Sequence, residues 1–227
     1  MKYTNIKEGI FLERLNRFVA RVTVDGKEEY CHVKNTGRCK ELFVPNTRVF
    51  VSEIDSTKRK TRYDLISVYK GERLVNVDSQ APNQVAQEWV RAGGLCSGIT
   101  KLIREKTYGD SRIDIYAETE KRKILVEVKG VTLEEDGIVR FPDAPTDRGI
   151  KHLGELEKSL AAGIEAYILF VIQMEGVRYF EPNRAGHPEF ADALAKACQA
   201  GVHILAYDCK VGTDSLEISS EVPVLLR

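Results

Sequence analysis

The chain has 227 residues with 43% hydrophobic content, and 34 Lys+Arg balance 34 Asp+Glu. That apolar fraction supports one large or two small packed cores and excludes a disordered tail. No run reaches the ~18 uninterrupted apolar residues of a membrane span, and the opening MKYTNIKEGIF lacks an apolar leader core, so a cytoplasmic protein is expected. The neutral total hides an asymmetry. Residues 1–80 carry 16 Lys+Arg against 11 Asp+Glu, and residues 81–227 carry 18 against 23, a split that can accompany polyanion binding. Five cysteines without a Cys-x-x-Cys pair suggest reduced thiols rather than a disulfide framework or zinc site.

From Phe11 to about Ser79 the pattern is almost all strand: RFVARVTVDG, EYCHVK, TRVFVSEI, YDLISVY and RLVNVDS, separated by turns such as Asp25-Gly26 and Pro45-Asn46. Five short strands in about 70 residues suit a small oligonucleotide-binding (OB)-type barrel over residues 1–80, with an SH3-like barrel or a meander as alternatives. After Pro82 the pattern becomes helix PNQVAQEWVRAG, strands KLIREKTY, SRIDIYA and KILVEVKG, helix DRGIKHLGELEKSLAAG, strand EAYILFVIQ, helix PEFADALAKACQAG and strand VHILAYDC. That order predicts a second α/β domain over 81–227 with a mixed central sheet. FPDAPTD, with two prolines, is expected to be a rigid loop ending in Thr146 or Asp147 as helix cap.

Three charged residues interrupt the second hairpin. In ILVEVKG, Leu125, Glu127 and Lys129 share one face; in SRIDIYA, Ile113 and Ile115 share one face and Asp114 lies on the other. A two-residue turn at Glu120-Lys121 sets Asp114 opposite Glu127, and a turn at Gly109-Asp110 sets Glu105 opposite Asp114. Crowded carboxylates hold a proton or a cation. Oxygen ligands with open positions suit Mg²⁺ (or Mn²⁺), and Lys129 is placed to orient water or steady phosphate charge. An exposed Asp–Lys–Glu network on the solvent side of the sheet is the bland alternative.

The constellation Asp114…Glu127-Val128-Lys129 resembles the restriction-endonuclease-like nuclease superfamily, whose signature is Asp…(Asp/Glu)-x-Lys. More closely, SRIDIYAE, VEVKGVTL and FPDAPTDRGIKHLGEL resemble the sugar fermentation stimulation protein A family, with NTGRCKEL, PNTRV and GVHILAYDCKV extending the likeness nearly end to end. Lys34 stands where many members carry proline before Asn35-Thr36-Gly37. The resemblance implies an OB-type barrel joined to a restriction-endonuclease-like α/β domain, DNA as partner, and an association with regulation of sugar metabolism. Asp114 and Glu127 would be the metal-binding carboxylates, with the Val128 carbonyl as third ligand and Lys129 as the signature lysine. A further acid would come from the first helix (Glu88) or, by strand register, from Glu105.

Arg148, Lys151, His152 and Glu155 are expected opposite the leucines of their helix, where the two cations could approach a phosphate backbone. On the barrel, Arg17, Arg21, Lys34, Arg38 and Lys40, with Phe18, Phe43 and Tyr63 as stacking groups, and Lys58 and Arg59 in the basic loop STKRKTRY, are candidates for nucleic-acid contact. Three functions follow: Mg²⁺-dependent hydrolysis of DNA, a non-cleaving DNA-binding regulator of sugar-metabolism genes, or an RNA-directed or repair role with a small-molecule or protein partner. A homodimer would suit cutting of both strands.

Overall fold

The computed structural model describes residues 1–35, 37–55 and 59–227. The N-terminal part contains β1 (Ile6–Arg14), β2 (Val19–Val24), β3 (Lys27–Val33), β4 (Arg48–Glu53), β5 (Tyr63–Lys70) and β6 (Arg73–Asn76). They pair in the order β3-β2-β1-β4-β5-β6, and a parallel β3–β5 contact closes the first five into a barrel. The closed five-strand barrel is the OB-type fold expected, but its membership differs. β1 was not anticipated as a strand, and β6 lies outside the ring. Gly9 and a bulge explain the weak signal. A Cβ on Gly9 would lie 2.6 Å from the Thr23 carbonyl oxygen, and the β1–β2 register slips between Phe11 and Glu13. Both features break the alternation that marks a strand.

The second part begins with α1 (Ala81–Arg91) and the antiparallel strands β7 (Lys101–Tyr108), β8 (Ser111–Glu118) and β9 (Lys123–Val131). It continues through β10 (Leu133–Glu135), β11 (Ile138–Phe141), α2 (Asp147–Leu160), β12 (Glu165–Ile172), β13 (Tyr179–Pro182), α3 (Pro188–Ala200), β14 (His203–Val211) and β15 (Leu216–Glu221). The central sheet runs β15-β14-β12-β9-β8-β7, with β9, β12 and β14 mutually parallel. It is therefore mixed, as expected. α1 covers one face, packing Val85, Ala86 and Val90 with Ile115, Ile124, Val126 and Val128. On the other face, Leu153 and Leu156 of α2 and Phe190 and Leu194 of α3 share a core with Leu125, Ile168 and Phe170 that continues into the barrel through Val33, Val51 and Leu65. The small sheet β10-β11-β13 and strand β15 were not anticipated. The hairpin β10–β11 turns at Asp136-Gly137, both at positive φ, the geometry that favours an Asp-Gly pair. No helix among the described residues is long and apolar enough to cross a membrane.

Buried polar groups stitch the barrel to the sheet. The Gln173 side chain, just beyond β12, donates to Asn76 Oδ1 (2.9 Å) and to the carbonyls of Asp78 (3.0 Å) and Asn76 (3.1 Å). Glu134 of β10 meets Lys70 (2.6 Å) and Arg73 (2.9 Å) at the end of the barrel. Lys34 is paired as well, with Nζ 2.9 Å from Asp78 and 3.4 Å from Asp64, and so is not a free cation. Because an orphaned buried acceptor costs about 1–3 kcal/mol, Gln173→Ala is expected to lower unfolding free energy by about 2–4 kcal/mol in a denaturant titration. A loss near zero would mean the joint does not rest on that amide.

Candidate functional site

Both hairpins keep the registers expected from their two-residue turns. Tyr108 pairs with Ser111 and Arg104 with Ile115 across β7–β8; Glu118 pairs with Lys123 and Ile115 with Val126 across β8–β9. At Asp114 the ladder gives way to a side chain. Asp114 Oδ2 accepts a hydrogen bond from the Val128 backbone N–H at 2.8 Å, taking the place of a strand carbonyl. β8 turns over at this point. Ile113 joins the core beneath α2, whereas Ile115 joins the core beneath α1, which corrects the expectation that they share a face.

Neither proposed third acid joins Asp114. Glu105 is opposite it in sequence register but adopts φ 52°, a left-handed conformation costly to a residue with a Cβ. Its pair is missing from the ladder, and its carboxylate lies exposed against Arg112. Glu88 is bound 2.8 Å from the N-terminal ammonium. The first helix supplies an amide instead, Asn83, whose Nδ2 donates to Asp114 Oδ1 at 2.8 Å.

Glu127 is 1% exposed. Its Oε1 accepts from Lys129 Nζ at 2.5 Å and from His152 Nδ1 on α2, while its Oε2 is buried with no hydrogen-bond partner. Arg148 Nε donates to His152 Nε2 at 3.3 Å. With Nε2 accepting, the partners assign the proton to Nδ1 and make His152 a donor to Glu127. His152 and Glu155 were expected on the solvent side of α2, yet both are buried. α2 is pinned to the β7–β8 turn, with Lys151 Nζ donating to the Asp110 carbonyl at 2.8 Å and Glu155 filling the space beside Gly109. Asn83 escaped sequence reading and His152 was placed on the wrong side of its helix, because only the tertiary fold brings them to the carboxylates.

The two carboxyls are shifted in opposite directions. Burial, and then the Glu127 charge, raise Asp114 above its ordinary value. Burial also pushes Glu127 upward, but the His152 hydrogen bond and the Lys129 charge outweigh it and hold Glu127 below its ordinary value. Among the described residues, no three His, Cys, Asp or Glu side chains converge as a metal cage. The donor set nevertheless fits a hard divalent cation of the Mg²⁺ type, which binds through one or two carboxylates and takes the rest of its shell from water and phosphate. The orphaned Glu127 Oε2 is the acceptor that such an ion would satisfy.

Of the proposed cationic surface, Arg148 and Lys151 are exposed on the first turns of α2, and Arg17, Arg38 and Lys40 are exposed on the barrel. Arg21 is instead paired with Glu13 (2.8 Å) and Glu28 (3.2 Å), and Arg59 with Asp64. Lys58 and Thr36 lie outside the described residues. Tyr63 is buried, and Phe43 stacks on Phe11 beneath the Arg14 guanidinium, so neither is available for stacking. Phe18 is exposed.

Two family models match the chain: "Sugar fermentation stimulation protein RE domain" over residues 80–215 and "SfsA N-terminal OB domain" over 12–77. The sugar fermentation stimulation protein homolog of Ruminiclostridium cellulolyticum is 57% identical over 100% of both chains. This chain belongs to the sugar fermentation stimulation protein family. A homolog from Desulfitobacterium hafniense is 56% identical over 100% of this chain and 99% of its own length. The solved structure described as Pyrococcus furiosus SfsA in complex with Ca²⁺ is 29% identical, covers 99% of this chain and 98% of its own, and superposes with a TM-score of 0.89. In this family member, the closed barrel and mixed sheet are thus the shared architecture.

The opposite pKa directions make opposite stability predictions. A carboxyl raised by folding destabilises the native state wherever it is ionised, and that cost vanishes as acid protonates both states. Asp114→Asn removes that charge but turns its NH2 toward one of the two donors, so the pKa direction sets the pH trend of its Tm relative to wild type: most favourable at pH 7 in EDTA and less so toward low pH. A carboxyl lowered by folding contributes stability that is present above its unfolded pKa and lost as pH falls through its folded one. Glu127→Gln is expected to lower Tm at pH 7. Thermal unfolding of the two variants between pH 3 and 7 checks the pair, and pH trends of the same direction relative to wild type would contradict the assignment.

Proposed function

We propose that this family member is a divalent-cation-dependent phosphodiesterase acting on DNA. The observation that carries the reading is the pairing of half-buried Asp114 with buried Glu127, whose Oε2 is unpartnered and whose Oε1 meets Lys129. A cation bound there would supply Lewis-acid chemistry, offsetting charge on the scissile phosphate and making water more acidic. Asp114, Glu127 and the Val128 carbonyl are its protein ligands in this reading. The Ca²⁺ named with the Pyrococcus furiosus relative supports a divalent ion without choosing Mg²⁺ or Mn²⁺.

The remaining roles belong to side chains already in place. Asn83 fixes one Asp114 oxygen and the Val128 N–H the other, so the carboxylate cannot rotate freely. His152 holds Glu127 Oε1 and leaves Oε2 to the ligand side. Lys129, resting on Glu127 Oε1 at 2.5 Å, is the cation that orients attacking water and steadies charge building on the phosphate. Arg148 and Lys151 stand exposed one helical turn apart to meet the DNA backbone.

A DNA-binding regulator that does not cut is the second reading. The departure of Glu88 and Glu105 from the site favours it. Incubation of labelled single- and double-stranded DNA with the protein in Mg²⁺, Mn²⁺ or EDTA separates the two. Hydrolysis is expected only with metal, abolished in Asp114→Ala and Glu127→Ala and reduced about 10²–10³-fold in Lys129→Ala. Binding without cleavage in every metal would leave the regulator.

His152 gives a test that does not depend on turnover. Partners that orient a ligating carboxylate are typically worth 10–100-fold in metal affinity. His152→Ala is expected to weaken Ca²⁺ binding by about that factor in calorimetry, with partial recovery in His152→Asn, whose amide can still donate to Glu127. Unchanged Ca²⁺ affinity in both variants would remove His152 from the site.

A further inference from the structure

We infer that the barrel presents a stacking platform for an unpaired base at Phe18, and that the nucleic acid led toward Asp114 and Glu127 is single-stranded. The inference rests on the DNA reading above and names the strandedness that reading leaves open.

Phe18 is 52% exposed and Leu15, in the same turn, 48%. Apolar side chains in water gain about 25 cal/mol for each Å² they later bury, so a displayed aromatic stores binding energy for a partner. The turn holds Phe18 outward on both sides. Asn16 Oδ1 accepts from the backbone N–H of Phe18 (2.9 Å) and Val19 (3.1 Å), and the Phe18 carbonyl accepts from Val33 N–H at 2.8 Å.

The surroundings of the ring suit a polyanion. Arg14 donates to the carbonyls of Arg17 (2.8 Å), Asn35 (2.7 Å), Gly37 (2.8 Å) and Arg38 (2.9 Å), joining the Phe18 turn to Asn35, Gly37 and Arg38 in one surface. Residues 14–18 and 37–40 contain four Lys or Arg and no Asp or Glu. Arg17, Arg38 and Lys40 are exposed there. The same loop is docked on the α/β domain, with the Arg38 backbone N–H donating to Asp143 Oδ2 at 2.8 Å. Five residues beyond Asp143, Arg148 bonds the ring of His152, which in turn bonds Glu127. Two hydrogen-bonded links, joined by the five residues of chain from Asp143 to Arg148, therefore run from the platform's loop to the carboxylate pair.

Strandedness follows from what a phenyl face can recognise. A duplex stacks its bases on each other and offers proteins its backbone and groove edges. A single strand offers free base faces, each worth about 1–3 kcal/mol on an aromatic ring. Cations without an exposed aromatic would serve either form; cations around a fixed, exposed ring serve the single strand.

Fluorescence anisotropy in EDTA tests this with the full chain, using a labelled oligothymidylate of about 12 nucleotides, a length within the site size of one small barrel, and a hairpin duplex carrying the same label. The wild type is expected to bind the single strand at least tenfold more tightly. Phe18→Ala should lose about tenfold for the single strand and little for the duplex, and Phe18→Trp should retain binding. Arg38→Ala should reduce the slope of log affinity against log salt by about 0.7. Equal affinity for both forms, or a Phe18→Ala protein that binds the single strand unchanged, overturns the inference. Because EDTA silences the metal site, the two readings fail separately. Phe18-dependent binding without cleavage sinks hydrolysis alone, and cleavage without Phe18-dependent binding sinks the platform alone.

Discussion

A carboxylate in the middle of a central strand constrains much of this molecule. Glu127 sits between β8 and β12, where apolar side chains pack above and below, and a buried charge there is tolerable only with partners. Lys129 comes from the same strand, but His152 must come from α2, so the helix has one acceptable rotation and height. The fold fixes both. Thr146 caps the helix by accepting from Gly149 N–H at 3.0 Å, Lys151 ties its first turns to the Asp110 carbonyl, and Glu155 packs beside Gly109. The leucine face of α2 would tolerate small slides against the sheet; the His152–Glu127 bond would not.

Asp114 shows the complementary economy. Its carboxylate substitutes for a backbone acceptor at the point where β8 changes face, so the distortion in the strand and the placement of the acid are one event. Glu105, directly opposite in the hairpin, absorbs the irregularity in a left-handed conformation. Backbone strain of this kind persists where surrounding structure over-determines it. Two adjacent carboxyls with opposite shifts, one held ionised by donors and one pushed toward protonation, form an unequal pair, which is the arrangement expected when two acids do different work.

Much of this was readable because local rules dominate hairpins. The turns at Gly109-Asp110 and Glu120-Lys121 set both registers, and the leucine spacing of α2 and the apolar run of β12 set the layers. The misreadings have specific causes. Gly9 and its bulge hid β1. Strict alternation placed Ile113 and Ile115 together because nothing local reveals that a side chain will displace a ladder bond. Arg21, Lys34 and Arg59 counted as free cations because the partners of a charge are a tertiary fact. Glu88 was drawn off by the N-terminal ammonium, which no spacing rule anticipates. His152 was placed on the solvent face with Arg148 and Lys151, although burial beside a carboxylate is what gives a histidine a defined tautomer and role.

The barrel and the sheet cannot be treated as independent modules, and the reason is energetic. Their apolar side chains form one continuous core, and the polar groups at the joint satisfy each other across it, Gln173 with Asn76 and Asp78, Glu134 with Lys70 and Arg73. Separating the two parts would break these bonds and expose the shared core to water. The loop that carries Arg38 is consequently held at a set position relative to α2 rather than swinging on a tether. For a chain whose carboxylates would repel a polyanion without a counter-ion, that rigidity matters: the attractive surface on the barrel must lie where it leads a strand toward the acids, because the acids themselves cannot draw it in.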